Sequence, residues 1–190
     1  MKPLLLALLA TLPICSAVPE SLPAIAITID TPRAAPPTIL TAVWSDGSIV
    51  WSKDRENGGP PYLTAKIDPA KTTAFLAKLD QDGTLKKLDK YLVHLGPDAS
   101  YHQIELMIGK KNITLISWHE LFERRATLVA TSHGISEIPD GKTREQVLKE
   151  DKQKYRDFRT LWKQIRDFSE KQVPKKGKPY EEPMKFEYPD

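Results

Sequence analysis

The sequence predicts an α+β protein in which an antiparallel sheet built from hairpins packs against a C-terminal amphipathic helix and a second helix. Two pairs of apolar, alternating segments, in residues 39–54 and 101–118, are each interrupted by a short polar turn and are typical of β-hairpins. A helix-start signal follows at Asp68 and Pro69, and apolar residues recur at helical spacing in residues 155–168. Runs of strands and separate helices of this kind indicate the α+β class.

The first strand is predicted over residues 24–30, where isoleucines alternate with smaller residues. The segment TPRAAPP, residues 31–37, is predicted to be a connector because proline fixes φ and lacks the donor that a strand ladder needs.

The hairpin in residues 39–54 turns at Asp46 and Gly47, a pair favoured in two-residue type I′ turns. That turn predicts a register in which Ala42 faces Trp51, so that Trp44 and Trp51 lie diagonally on one face of the sheet. Large aromatic side chains on such a face form the core in most proteins. The functional alternative is an exposed aromatic platform that contacts a carbohydrate.

A fourth strand is predicted over residues 62–67. A helix then begins with Asp68 as N-cap and Pro69 in its first turn, and Gly83 is placed to end it in a left-handed conformation. Residues 84–95 have leucines at spacings that fit a short helix or an irregular packed segment.

The second hairpin contains the residues closest to known chemistry. If the loop is GKKN, residues 109–112, then Ile108 faces Ile113 and His102 faces His119, with Cβ atoms about 4.5–5.5 Å apart. A helical turn that starts at His119 would bring Glu123 to the same side at i+4.

These side chains suggest a divalent metal such as zinc, held by His102, His119 and Glu123, with His133 or His94 as a further ligand and Glu120 as the base. The pattern H-E-x-x-E lacks the second histidine of the zinc protease motif. The competing interpretation is structural: both histidines bond to backbone, and the glutamates pair with Arg124 and Arg125. A pH-sensitive contact is a third possibility.

After this hairpin, residues 127–131 fit another strand and residues 132–142 a loop. Thr143 and Gln146 form a capping box, and a long helix follows whose apolar stripe covers the sheet. The proline-rich, charged tail from residue 174 is predicted to be mobile or laid on the surface.

Residues 1–17 have the basic start, apolar run and small final residue of a secretory signal peptide. Ile14 does not fit the residue before a lipid-acceptor cysteine, which argues against lipid anchoring at Cys15. We therefore expect an exported chain, periplasmic or extracellular, without disulfides, since Cys15 is the sole cysteine. Its parts are a lead and first strand in 18–37, one domain in 38–173 and the tail in 174–190.

The chain resembles uncharacterised secreted bacterial proteins of similar size in the D-G hairpin and in the runs GGPPY (58–62), GPDASYH (96–102) and SWHE (117–120). The resemblance covers roughly residues 38–170. No activity is assigned to those proteins, so it implies an envelope or extracellular location and no site residues.

The sequence argues against several classes of function. The 28 basic and 25 acidic residues are interleaved, which gives no basic patch for nucleic acid. No later segment is long and apolar enough to span a bilayer. Phosphate loops, dinucleotide motifs and nucleophile elbows are missing. The sequence thus favours a non-catalytic binding module for a protein or envelope component over a metal-dependent hydrolase or a carbohydrate-binding protein.

Overall fold

The computed structural model describes residues 21–31, 34–83, 85, 91–92, 100–181 and 186. The predicted signal peptide, Cys15, His94 and most of the segment 84–95 lie outside these residues, so the expectation of export stays a prediction. Within the described residues the chain has the predicted α+β architecture.

Ten strands and four helices make up the described fold. The strands are β1 (Ile25–Thr31), β2 (Ala34–Val43), β3 (Ser48–Ser52), β4 (Tyr62–Lys66), β5 (Tyr91–Leu92), β6 (Tyr101–Ile108), β7 (Lys111–Ser117), β8 (Leu128–Thr131), β9 (Gly134–Glu137) and β10 (Lys178–Tyr180). The helices are α1 (Pro69–Gln81), α2 (His119–Glu123), α3 (Arg144–Glu150) and α4 (Gln153–Gln172). None of the helices in the described part of the chain is both long and apolar enough to cross a bilayer.

Eight strands form one sheet in the order β10-β4-β3-β2-β1-β6-β7-β5, and β8 pairs with β9 in a small separate hairpin. Every neighbouring pair is antiparallel except β5 and β7, which run parallel. The predicted antiparallel sheet is therefore confirmed, with a short parallel strand added at one edge.

The predicted packing of α1 and α4 is also confirmed. Both helices contribute to the main core, together with isoleucines and leucines from β1, β3, β6 and β7. On α4, the buried apolar residues are Tyr155, Phe158, Leu161, Trp162 and Ile165. This stripe recurs every three to four residues, so it lies on one side of the helix and leaves the opposite side polar.

Helix ends follow the predicted local chemistry. Asp68 caps α1 by accepting the backbone N–H of Ala70, and Gly83 adopts a positive φ of 65° after the last turn. Thr143 and Gln146 form the predicted capping box at the start of α3.

The predicted turn of the β2–β3 hairpin is wrong. Trp44 and Ser48 pair by a backbone bond, and the three residues between them form the loop, with Gly47 at a φ of 82°. Asp46 has no positive φ, as a type I′ turn would require. A three-residue loop with glycine in the left-handed position shifts the register by one, so Thr41 rather than Ala42 faces Trp51.

This shift separates the two tryptophans. Trp51 lies in the main core beneath the helices, whereas Trp44 belongs to a smaller cluster with Ile39, Ala42 and Val50. A one-residue slip moves a side chain to the opposite face because side chains alternate along a strand. Trp44 is 1% and Trp51 4% exposed, so both are core residues, on opposite faces of the sheet, and neither is exposed as the alternative of an aromatic platform requires.

Gly47 shows why the loop has this shape. A Cβ at this position would lie 2.3 Å from the carbonyl oxygen of Ile67, and the backbone N–H of Ile67 donates to the carbonyl of Gly47.

We expect Gly47→Ala to lower the free energy of unfolding by at least about 2 kcal/mol, since left-handed strain and a backbone clash add. Gly83→Ala is the matched control, because its positive φ faces open space, and should cost about 1 kcal/mol. Equal losses in denaturant titrations would contradict this account.

Two segments predicted as connections contain strands. Residues 34–37 begin β2, but β3 pairs only with the later part of that strand. The prolines, which have no backbone N–H, therefore cost no hydrogen bond to β3. Gly134–Glu137 forms β9 inside the predicted loop. In the segment predicted as helical or irregular, Tyr91–Leu92 is β5.

Part of the tail, predicted to be mobile or surface-laid, is built into the sheet. Lys178–Tyr180 forms β10 against β4, and a Cβ added to Gly177 would meet the ring of Trp51. Phe186 packs edge-on against Trp44 with ring centroids 5.7 Å apart. These described residues of the tail therefore contribute to both faces of the sheet.

Candidate functional site

The second hairpin turns more tightly than predicted. Ile108 pairs with Lys111, which leaves Gly109 and Lys110 as a two-residue turn, and Gly109 has a φ of 63°. Glycine at the first central position is what a type II′ turn requires. The register therefore differs from the prediction by two residues, and His102 faces Ser117 instead of His119. Because side chains alternate along a strand, His102 lies on the face of β6 that carries Ile104 and Leu106, whatever the register with β7.

His119 nonetheless comes to the same region, because it is the first residue of α2. Its ring lies edge-on to Trp162 of α4, with centroids 5.1 Å apart, and the side chain is 3% exposed. Burial, followed by the positive charge of Arg159, lowers the pKa of His119 to about 3. His119 is therefore neutral at physiological pH.

Ser117 fixes the proton on this ring. The Ser117 Oγ accepts the backbone N–H of His119 at 3.3 Å, and it also lies within hydrogen-bond distance of the His119 Nδ1. The hydroxyl hydrogen has no other acceptor among the described residues, so it donates to Nδ1. The neutral ring then carries its own proton on Nε2.

Glu120 is the centre of a partly buried hydrogen-bond network that we call the Glu120 network, made of Glu120, His102, Trp162 and Arg166. One carboxylate oxygen pairs with the His102 Nδ1 at 3.0 Å. The other accepts from the Arg166 Nε at 3.1 Å and from the indole N–H of Trp162. The network thus joins β6, α2 and α4 through a single side chain.

The pKa of Glu120 follows from these partners. Burial alone would raise it, but the hydrogen bond from His102 and the charge of Arg166 outweigh burial and bring the pKa to about 2. A general base needs a free lone pair and a pKa close to the working pH. Glu120 accepts three hydrogen bonds and stays ionised at neutral pH, so it does not fit the predicted role of general base.

Glu123 lies one turn further along α2 and pairs with Arg159 of α4. Burial lowers the pKa of Arg159 to about 10, and the negative charge of Glu120 offsets part of that effect. Arg159 therefore remains a cation, although the protein around it provides less stabilisation than water would.

Between α2 and α4 there is an open cleft of about 520 Å³, which we call the α2–α4 cleft. Its lining includes His119, Glu120 and Glu123 from α2 and Arg159, Lys163 and Arg166 from α4. The cations of α4 lie beside its apolar stripe, whose Trp162 also lines the cleft, and they border the one stretch in which the sequence suggested chemistry.

The predicted metal ligands are not assembled. His133 is exposed at the turn of the β8–β9 hairpin, and Glu123 pairs with Arg159. His102 and His119 lie in one region, but each is bound to a different partner, Glu120 and Ser117. Among the described residues, no three His, Cys, Asp or Glu side chains are placed to share an ion.

Sequence reasoning missed the contribution of α4. Arg159, Lys163 and Arg166 recur at i, i+4 and i+7, a spacing that puts three cations on one side of a helix. That spacing was the available signal, but a charged stripe is also what any solvated helix face presents. The only sequence signal for Ser117 as a partner of His119 is that the two residues are two positions apart.

A scan of protein-family models, a search of curated proteins and a search of solved structures each find nothing that matches this chain. The fold and the site therefore define its class by themselves. It is an α+β protein with a helix-covered, mainly antiparallel sheet and a cleft between α2 and α4 that is lined mostly by charged side chains.

Proposed function

We propose that the protein is a non-catalytic binding module and that the α2–α4 cleft is its binding surface. The observation that carries the proposal is the Glu120 network, which holds charged side chains rigidly beside an open cleft. Concave surfaces in which a few fixed polar groups converge are the usual sites for ligands. Pre-formed side chains also lose little conformational entropy on binding, so affinity is gained.

The protonation states support binding over catalysis. Glu120 stays ionised down to a pKa of about 2, and His119 stays neutral down to a pKa of about 3. Neither group changes its protonation near neutral pH, where an acid or base catalyst exchanges protons. Both side chains are instead fixed hydrogen-bonding groups.

The cleft can be tested by filling it. Thr160 is exposed and lines the cleft, so Thr160→Trp should obstruct it. Thr73→Trp is the matched control: Thr73 is also exposed on a helix and makes the same hydrogen bond to the carbonyl four residues earlier, but it lies on α1.

The measurement is a two-dimensional ¹H–¹⁵N NMR screen of the full chain against small acids, sugars, amines and short peptides. We expect ligands that bind the wild type and Thr73→Trp to shift amides in residues 119–124 and 159–167, and to be recovered chemically unchanged. Thr160→Trp should weaken the affinity of the same ligands about tenfold or more, a loss of at least about 1.4 kcal/mol of binding free energy, because the indole occupies the cleft. Ligand shifts confined to other parts of the sheet, or chemical turnover of a ligand, would refute the proposal.

A further inference from the structure

Three cations of α4 line the cleft, and two of them are held by glutamates. Arg159, Lys163 and Arg166 lie at i, i+4 and i+7, which places them on one side of the helix over about two turns. The guanidinium of Arg159 is tied to Glu123, and that of Arg166 to Glu120. Each glutamate therefore holds one side of a planar guanidinium and restricts its orientation.

Arg159 and Arg166, which line the cleft, have more hydrogen-bond donors than the described acceptors satisfy. Both oxygens of Glu120 are already occupied. Arg159 and Arg166 each have an Nη1 that is buried and has no hydrogen-bond acceptor among the described residues. A guanidinium offers five N–H donors and no acceptor, and leaving a buried donor unpaired costs free energy. Such groups favour a ligand that provides acceptor oxygens.

Charge points in the same direction. The side chains of Arg159 and Arg166 are 18% and 16% exposed, so these cations are largely removed from water. Burial is also what lowers the pKa of Arg159 to about 10, and a bound anion would offset that effect. Lys163 pairs with Asp167, but both are well exposed, and an exposed pair of this kind is weak enough for Lys163 to exchange partners.

His119 adds a donor without adding charge. Its Nδ1 is occupied by the Ser117 hydroxyl, so the N–H at Nε2 is the remaining polar group of a ring that lines the cleft. The α2 side of the cleft therefore presents a neutral donor opposite the cations of α4.

We infer that the α2–α4 cleft binds an oxyanion, the carboxylate or phosphate group of its ligand, with Arg159 and Arg166 as the principal donors. Arg guanidinium is the side chain best matched to such groups because its planar fork can give two parallel hydrogen bonds. This inference rests on the proposed binding function and specifies the chemistry of the ligand.

The test uses acetate and inorganic phosphate as probes, in two separate arms, titrated into the full chain at pH 7.5 with ionic strength held constant by chloride. The readout is the side-chain Nε–H resonances of Arg159 and Arg166 together with the amides of residues 119–124. We expect saturable shifts of both arginine signals with at least one probe at concentrations up to about 10 mM, a range suited to a small anion that binds weakly. The arm with the tighter binding identifies the carboxylate or the phosphate.

Arg159→Gln is the informative variant, and Arg156→Gln its matched control. Arg156 lies on the same helix and its substitution changes the net charge equally, but it bonds to the carbonyl of Lys149 and to Gln153 and does not line the cleft. Loss of a charge-assisted hydrogen bond predicts an affinity about tenfold lower or more in Arg159→Gln, and little change in Arg156→Gln. Arg159→Lys, which keeps the charge but not the fork, should bind with intermediate affinity.

The outcomes separate this inference from the proposed function. Equal weakening by Arg156→Gln, or no saturable shift of the arginine signals, would overturn the oxyanion site. If neutral compounds from the screen then bind the cleft, the binding module stands and only its ligand class is wrong. If no compound binds there, the proposed function fails as well. Preserved amide spectra of each variant establish that a loss of binding is not a loss of fold.

Discussion

The protein should lose about 2 kcal/mol of its free energy of unfolding between pH 6.5 and pH 5.0, and the loss should come mainly from His119. The folded pKa of His119 is about 3, against 6.5 for an ordinary histidine. Between these values the unfolded chain binds a proton that the folded chain does not, so stability falls as the pH falls. Each pH unit well inside this range costs about 1.4 kcal/mol, which gives about 4 kcal/mol when the pH reaches 3.

Glu120 adds to this loss at lower pH. Its folded pKa of about 2 lies below the ordinary 4.5, so the stabilisation it provides is complete above pH 4.5 and is lost as the pH falls toward 2. The two groups therefore act in sequence, the histidine first and the carboxylate second. Denaturant titrations at half-unit intervals from pH 7.5 to 2.5 cover both ranges.

Two histidine variants test the assignment of the first range. In His119→Asn, the side-chain oxygen can still accept from Ser117 but cannot titrate, so stability should fall at pH 7.5 and then vary little down to pH 5. His133→Asn is the control, because His133 is exposed, and it should keep the pH dependence of the wild type. A flat wild-type profile from pH 7 to 5, or an unchanged slope in His119→Asn, would show that His119 is not the group responsible.

Local chemistry in this sequence was sufficient to predict the helices. Asp68 with Pro69, and Thr143 with Gln146, satisfy the free N–H groups of a helix start whatever the rest of the chain does. The stripe on α4 was equally clear because six apolar residues repeat at one spacing. The caps depend only on neighbours within one turn, and the stripe depends only on spacing along one helix, so both can be recognised without the rest of the fold.

Hairpin register was harder because it depends on loop length. Asp46-Gly47 suits a two-residue turn, yet glycine also suits the last position of a three-residue loop, which is where the structure has it. Gly109 similarly permits a shorter turn than the polar run GKKN suggested. In the first hairpin the register differs from the prediction by one residue, so Trp44 and Trp51 lie on opposite faces of the sheet. In the second hairpin it differs by two residues, so the residues that face each other across β6 and β7 change but their faces do not.

The candidate site could be predicted only in part. His102, His119 and Glu120 were brought to attention by their own region of the sequence, but the residues that determine their chemistry are distant. Trp162 and Arg166 follow Glu120 by 42 and 46 residues, and no sequence pattern pairs them. In the sequence, Glu120 beside His119 suggests a metal site. In the structure, both carboxylate oxygens of Glu120 already accept hydrogen bonds, from His102, Trp162 and Arg166.

Replacing that carboxylate should have the second large effect. Glu120→Gln removes the charge that pairs with Arg166 and leaves at least one of three donors without a good acceptor. Loss of one partner from a buried ion pair costs about 3–5 kcal/mol, and Glu120 and Arg166 are about one fifth exposed, so we expect about 2–4 kcal/mol. The measurement is the free energy of unfolding in denaturant at pH 7.5.

Glu150→Gln provides the control for this change of charge, since Glu150 forms an exposed pair with Lys142 and should lose less than about 1 kcal/mol. A double variant, Glu120→Gln with Arg166→Gln, tests whether the large effect is a coupling. If the Glu120 network acts as one unit, the second substitution should cost much less in the Glu120→Gln background than alone, because the partner is already lost. Fully additive losses would mean that Glu120 and Arg166 stabilise the fold independently, and the rigid arrangement on which the binding proposal depends would lose its physical basis.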